Sequence, residues 1–124
     1  KIIATASAPS AIGPYSQATS INGMVYTSGQ LGIDPATGNF ATQDIAGQTL
    51  QSLKNVKSVL EEAGSSMDKV LKTTVFLSDM NNFAAMNAVY AEFFTEGSFP
   101  SRSAVEVARL PKDGLVEIEA IATV

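Results

Sequence analysis

Arg102 stands in Phe99-Pro100-Ser101-Arg102-Ser103-Ala104-Val105, an otherwise uncharged stretch of a chain with two arginines and neither histidine nor cysteine. Pro100 favours an extended entry to this segment, and Val105 and Val107 continue an apolar alternation, so Arg102 opens a predicted strand where a charge is costly unless paired. Its planar fork suits a carboxylate, either a protein acid or that of a small ligand. Glu117 and Glu119 share one face of a predicted last strand with Ile121, while Val116, Ile118, Ala120 and Ala122 form an apolar side that meets helices. The same parity sets Arg102, Ala104 and Glu106 opposite Ser103, Val105 and Val107. These patterns bring Arg102 and at least one of Glu117 and Glu119 to one partly buried cleft, between strands or between subunits. Such a pair either binds an anion and moves a proton or is a structural ion pair.

The remaining composition narrows the chemistry. At 124 residues, 45% hydrophobic and 16% charged, the chain reads as one globular domain, residues 1–124, with few surface charges. A net charge of −4 with scattered basic residues argues against a nucleic-acid footprint. Without cysteine there is no disulfide framework or thiolate nucleophile, and without histidine the usual metal ligand and general base are both missing. No apolar run approaches the ~20 residues of a membrane span, and no signal segment opens the chain. A cytoplasmic protein is expected. Lys rather than Met at residue 1 is compatible with a removed upstream segment and an organellar address, such as a mitochondrial one.

Several elements must position these residues. Tyr15 to Ile21 and Met24 to Gly29 flank Asn22-Gly23, a two-residue hairpin signal. The run from Asp34 to Asn39 is a loop of turn formers. Ile45, Thr49, Leu53, Val56, Leu60 and Ala63 recur at helical spacing between a capping Asp44 and Gly64. Val70 to Leu77 reads as a central strand. Phe83, Met86, Tyr90, Phe93 and Phe94 form the stripe of a second helix that ends before Gly97. Arg102 to Ala108 and Val116 to Val124 are strands joined by Leu110-Pro111-Lys112-Asp113-Gly114. The predicted order is ββαβαββ, a two-layer α+β domain with a mainly antiparallel sheet and two helices on one face. The uncovered sheet face, in a chain with few charges, calls for a symmetric oligomer.

Ala11-Ile12-Gly13-Pro14-Tyr15-Ser16-Gln17-Ala18, Tyr26-Thr27-Ser28-Gly29-Gln30, Lys72 to Leu77, Pro100 to Asp113 and Val116 to Ala122 together resemble the RidA (YjgF/UK-type) family, the reactive intermediate imine deaminases. The resemblance spans nearly the whole chain. It implies a chorismate-mutase-like fold and a homotrimer with a central sheet barrel and clefts between subunits. It also implies hydrolysis of 2-imino acids such as 2-iminobutanoate and 2-iminopropanoate to 2-oxo acids and ammonia, which protects pyridoxal-phosphate enzymes. Arg102 matches the family's carboxylate clamp and Glu117 its water-directing acid. Tyr15 matches a tyrosine lining the cleft, where packing alone is the competing role. At Ser28-Gly29 a missing side chain lets backbone approach a ligand and its N–H bind a carboxylate, the alternative being a bulge. Asn87, on the apolar side of the second helix, needs partners and falls near the family's site. Ala104 stands where many members carry Cys or Thr, which removes a polar contact and enlarges the pocket. Arg109 is expected to pair with a surface acid or a neighbouring subunit, with no catalytic role.

Arg102 and the Gly29 N–H would then hold the substrate carboxylate, a backbone carbonyl near Arg102 the protonated imine nitrogen, and Glu117 the attacking water. No metal or organic cofactor is called for. Two other classes remain: a non-catalytic trimer that binds small carboxylates or acts as a chaperone, and, ranked last, a ribonuclease or translation inhibitor.

Overall fold

Asn22 and Gly23 take positive φ angles of 51° and 77°, the pair that matches a two-residue turn to the twist of its flanking strands. The computed structural model describes residues 1–124. In it this turn joins β2 (Ala18–Ile21) to β3 (Met24–Thr27), with Ile21 opposite Met24. Two short strands are additional to the predicted order: β1 (Ile2–Ile3), paired antiparallel with β2, and β4 (Gln30–Leu31), paired with the last strand. The other elements are α1 (Ile45–Glu62), β5 (Val70–Leu77), α2 (Phe83–Tyr90), β6 (Ser101–Glu106) and β7 (Val116–Thr123). The sheet runs β1-β2-β3-β7-β5-β6, with β4 beside β7. It is mixed, because β6 lies parallel to β5 while the other pairings are antiparallel. The chain is therefore a small α+β fold of one mixed sheet and two helices.

Both helices pack on one sheet face. Asp44 caps α1 by accepting the Gly47 N–H at 2.7 Å. Leu53, Val56, Val59 and Leu60 of α1 are fully buried, as are Val25, Val75, Val116, Ile118 and Ala122 of the sheet. The predicted parity of β7 is observed, with even positions buried and odd ones half-buried. The second helix is shorter than its apolar stripe suggests. Its α-helical part ends at Tyr90, and residues Ala91–Phe93 tighten into a 3-10 turn.

Two strand boundaries also move. Tyr15–Gln17 is loop rather than strand, and the strand predicted from Met24 to Gly29 breaks after Thr27. The Thr27 hydroxyl takes the Ala120 N–H at 3.0 Å, where a continuing ladder would present a carbonyl. The break frees Ser28 and Gly29 from the sheet. Beyond it, α1 recaptures the chain: Ser52 Oγ donates to the Gln30 carbonyl at 2.6 Å, and Asn55 Nδ2 donates to those of Leu31 and Ile33 at 3.1 and 2.8 Å. Asn55 is fully buried, so its loss leaves carbonyls without a donor. Asn55→Ala is expected to destabilise the fold by about 1–3 kcal/mol in urea unfolding, the penalty of stranding buried polar groups.

Candidate active site

Arg102 lies on the helix-facing side of β6, because its register partner on β5 is Thr73, which in turn sits opposite Ala120 of β7. Its Nη1 donates to Asn87 Oδ1 of α2 at 2.7 Å. Its guanidinium carbon stands 4.7 Å from the centre of the Tyr90 ring and 5.4 Å from that of Phe83. Phe83, Asn87 and Tyr90 follow the i, i+4, i+7 spacing of one helix face, which lets a single short helix surround one guanidinium. Stacking on aromatic faces suits this weakly hydrated cation. The one ion pair in the structure is Arg109 with Asp113, at 2.7 Å and exposed. Arg109 thus pairs with a surface acid, as expected, while Arg102 has only neutral partners. It lines a cavity of about 430 Å³ with Asn87, Tyr90, Phe99 and Pro100, and its charge remains available to an anion.

Glu117 is on the opposite face of the sheet. Its neighbours across the ladder are Leu31 and Phe76, and it lines a second cavity of about 720 Å³ with Tyr15, Ser28, Gly29, Lys112 and Glu119. Burial raises the Glu117 carboxyl above its ordinary pKa, and the nearby Glu119 charge raises it further. Gly29 packs directly against this acid: a Cβ there would stand 2.8 Å from the Glu117 carboxyl carbon and push that side chain aside. The Gly29 N–H donates to no protein acceptor. Ser28 is committed locally, its hydroxyl donating to the Ser16 carbonyl at 2.6 Å and its N–H to that of Gln17 at 2.9 Å. The buried Gln17 side chain then ties down the N-terminal segment, donating to Thr5 and Pro9 carbonyls and accepting the Thr5 N–H. These bonds fix the loop that carries Tyr15, whose ring is half exposed in the same cavity. Lys112, which lines the cavity, and the following Asp113 both hold positive φ, 55° and 58°.

Of the two placements expected for a cleft shared by Arg102 and an acid, the one between strands of a single protomer is therefore corrected. Parallel pairing of β6 with β5 puts Arg102 in line with Thr73 and Ala120, whereas Glu117 and Glu119 fall on the alternate positions of β7. The structural ion pair, the alternative to ligand binding, is not formed within the protomer. Ala104 packs beside the buried cluster of Leu53, Val75 and Met86 and is not among the residues lining the Arg102 cavity. The structure thus groups Arg102 with Asn87 and groups Tyr15, Ser28 and Gly29 with Glu117, as two separate clusters. Phe83 and Tyr90 were read as core stripe. Their spacing about a helix amide was the signal that they flank a charge.

The sequence matches the family model described as "Endoribonuclease L-PSP" over residues 5–124. It is 56% identical over 124 residues to the 2-iminobutanoate/2-iminopropanoate deaminase of Salmonella typhimurium, covering 98% of this chain and 96% of that relative. The crystal structure of the YjgF gene product from E. coli superposes with a TM-score of 0.95 at 54% identity, covering 99% of this chain and 98% of that one. E. coli TdcF with bound serine superposes with a TM-score of 0.93 at 47% identity, covering 100% and 98%.

Proposed function

Since this chain belongs to the Endoribonuclease L-PSP family, the YjgF/RidA proteins, we propose that it hydrolyses 2-imino acids such as 2-iminobutanoate and 2-iminopropanoate to 2-oxo acids and ammonia. Residues 1–124 act as one domain within a homotrimer whose sheets form a central barrel. Each cleft joins the Arg102 half-site of one protomer to the Glu117 half-site of its neighbour. The observation that carries this reading is the division of the two half-sites across opposite faces of one sheet, with Arg102 left without an acid partner. The helix-free face supports the assembly, for it leaves Ile21, Tyr26 and Val105 exposed at 65%, 43% and 44%, and a sheet with one bare apolar face gains by covering it.

The chemistry follows from the groups available. The Arg102 fork grips the substrate carboxylate, a charge-assisted contact worth about 1.5–3 kcal/mol, and the Gly29 N–H adds a second donor. Serine bound to TdcF is a carboxylate of comparable size. The protonated imine carbon is electrophilic, and a backbone carbonyl near Arg102 accepts from its nitrogen. Glu117 takes a proton from water as the oxygen adds to that carbon, giving a carbinolamine, and returns the proton to the nitrogen; as the C–N bond breaks Glu117 accepts the hydroxyl proton and passes it to the departing ammonia. One protonated imine and one water become one 2-oxo acid and one ammonium ion. Since imines hydrolyse in water unaided, orientation and one proton acceptor suffice. Although the family description names a nuclease, a net charge of −4 opposes phosphate binding.

The test is direct. An amino-acid oxidase generates 2-iminobutanoate in the presence of semicarbazide, and the protein is expected to suppress the trapped adduct in proportion to its concentration. Unchanged adduct would replace the enzyme reading with that of a carboxylate-binding or chaperone-like trimer.

A further inference from the structure

We infer that Thr73 and Tyr90 are positioning residues for substrate recognition: the Thr73 hydroxyl fixes the Tyr90 ring, and that ring holds the Arg102 guanidinium in the plane that meets a carboxylate. This rests on the proposed role of Arg102 as carboxylate clamp. The Tyr90 hydroxyl and Thr73 Oγ1 are hydrogen-bonded at 2.6 Å, and the two residues are 5% and 2% exposed. Thr73 is also the register partner of Arg102 across the β5–β6 ladder. One backbone pairing and one side-chain bond therefore close a ring of contacts from Thr73 to Tyr90, from Tyr90 to Arg102, and back along the sheet. Phe94 supports the tyrosine, with ring centroids 4.8 Å apart.

A valine and a phenylalanine would fill the same space without desolvating two hydroxyls. What the polar pair adds is direction. The last torsion of an aromatic ring sits in a broad well, and a hydroxyl bonded to a buried partner narrows it. Cation–π attraction depends on the cation lying over the ring face, so a fixed ring fixes the guanidinium. Asn87 Oδ1 holds Nη1 from one side, and the Tyr90 face sets the plane. Burial raises the Tyr90 phenol above its ordinary pKa, opposed in part by the Thr73 hydrogen bond and the Arg102 charge, which keeps the ring a neutral support.

Steady-state imine hydrolysis measured for Thr73→Val, Thr73→Ser and Tyr90→Phe, each in the wild-type and the Arg102→Lys background, tests this. Contacts to a carboxylate that persists through the reaction are uniform binding, so their loss appears in KM. Thr73→Val and Tyr90→Phe are each expected to raise KM about 3- to 10-fold, the worth of one neutral hydrogen bond, with kcat within about twofold. Thr73→Ser should restore wild-type KM. Neither Thr73→Val nor Tyr90→Phe should raise KM further once lysine has removed the fork. Unchanged KM in both Thr73→Val and Tyr90→Phe, or an equal rise in both backgrounds, overturns the inference. Should Thr73→Val fail to fold, Tyr90→Phe alone decides. A wild-type KM for Arg102→Lys would instead overturn the clamp itself.

Discussion

Glu117→Gln is expected to lower kcat by roughly 10²–10⁴, the usual worth of a placed proton acceptor, while leaving KM within about threefold because an amide of the same shape preserves the pocket. Gln fills the space against Gly29 that a Cβ there would invade, yet it cannot take a proton from water. A kcat within about tenfold of wild type would remove Glu117 from the mechanism. The pH profile supplies an independent check. The base works ionised, so kcat/KM falls as pH drops through the Glu117 pKa, which burial and then the Glu119 charge hold above the ordinary carboxylate value. Charged groups lining the same cavity are Glu119 on β7 and Lys112 on the turn before it. Glu119→Gln removes the repulsion and is expected to move the acid limb to lower pH. Stability runs the other way. A folded-state pKa raised above the unfolded one penalises the fold once pH exceeds both values. Glu117→Gln is therefore expected to melt slightly above wild type at neutral pH, and the advantage disappears below the unfolded pKa. Lost turnover with undiminished stability separates a catalytic acid from a structural one.

Local chemistry was the legible part of the fold. Asn22-Gly23 announced its turn, Asp44 its cap, and the alternation of Val116 to Ala122 its buried face. Each of these is decided by residues within a few positions. The break after Thr27 was hidden because a threonine hydroxyl replaces a backbone acceptor 93 residues away, and nothing in Met24 to Gly29 marks that partner. The sheet also carries a parallel pair. β5 and β6 are joined through α2, a crossover that permits parallel pairing, yet the strand patterns themselves do not state direction. That one pairing decided the site. Period-2 parity correctly sorted Arg102 from Ser103 and Glu117 from Ile118, but it gives only relative faces within each strand. Which face of β6 aligns with which face of β7 depends on β5 lying between them, and no local signal sets that register. The resemblance supplied candidate residues and clefts between subunits, without saying which of those residues each protomer face carries. Likewise the Thr73–Tyr90 bond joins residues whose types read as strand filler and helix stripe, and only tertiary structure makes them a pair.

Mixing two inactive variants is expected to regenerate activity. Arg102→Ala keeps the Glu117 half-site and loses the clamp, and Glu117→Gln keeps the clamp and loses the base. Assayed at substrate well below KM, each alone should be nearly inert, Arg102→Ala through a raised KM and Glu117→Gln through a lowered kcat. In the proposed cyclic trimer each cleft would draw one half-site from each of two neighbours. When equal amounts are unfolded together and refolded, chance assembly gives a cleft an intact Arg102 half the time and an intact Glu117 half the time. About one cleft in four should then be whole, so the co-refolded population should show roughly a quarter of wild-type turnover, and each mixed trimer, with one whole cleft of three, about a third. The same clefts should show wild-type KM, because each restored site is chemically complete. Mixing without unfolding should restore less, to the degree that subunits fail to exchange. If both groups served a site inside one protomer, no combination of these variants could rebuild it, and co-refolded mixtures would be as inactive as their parents. The placement of Arg102 beside Thr73 and of Glu117 beside Phe76, on opposite faces of β5, is the observation from which recovery is expected.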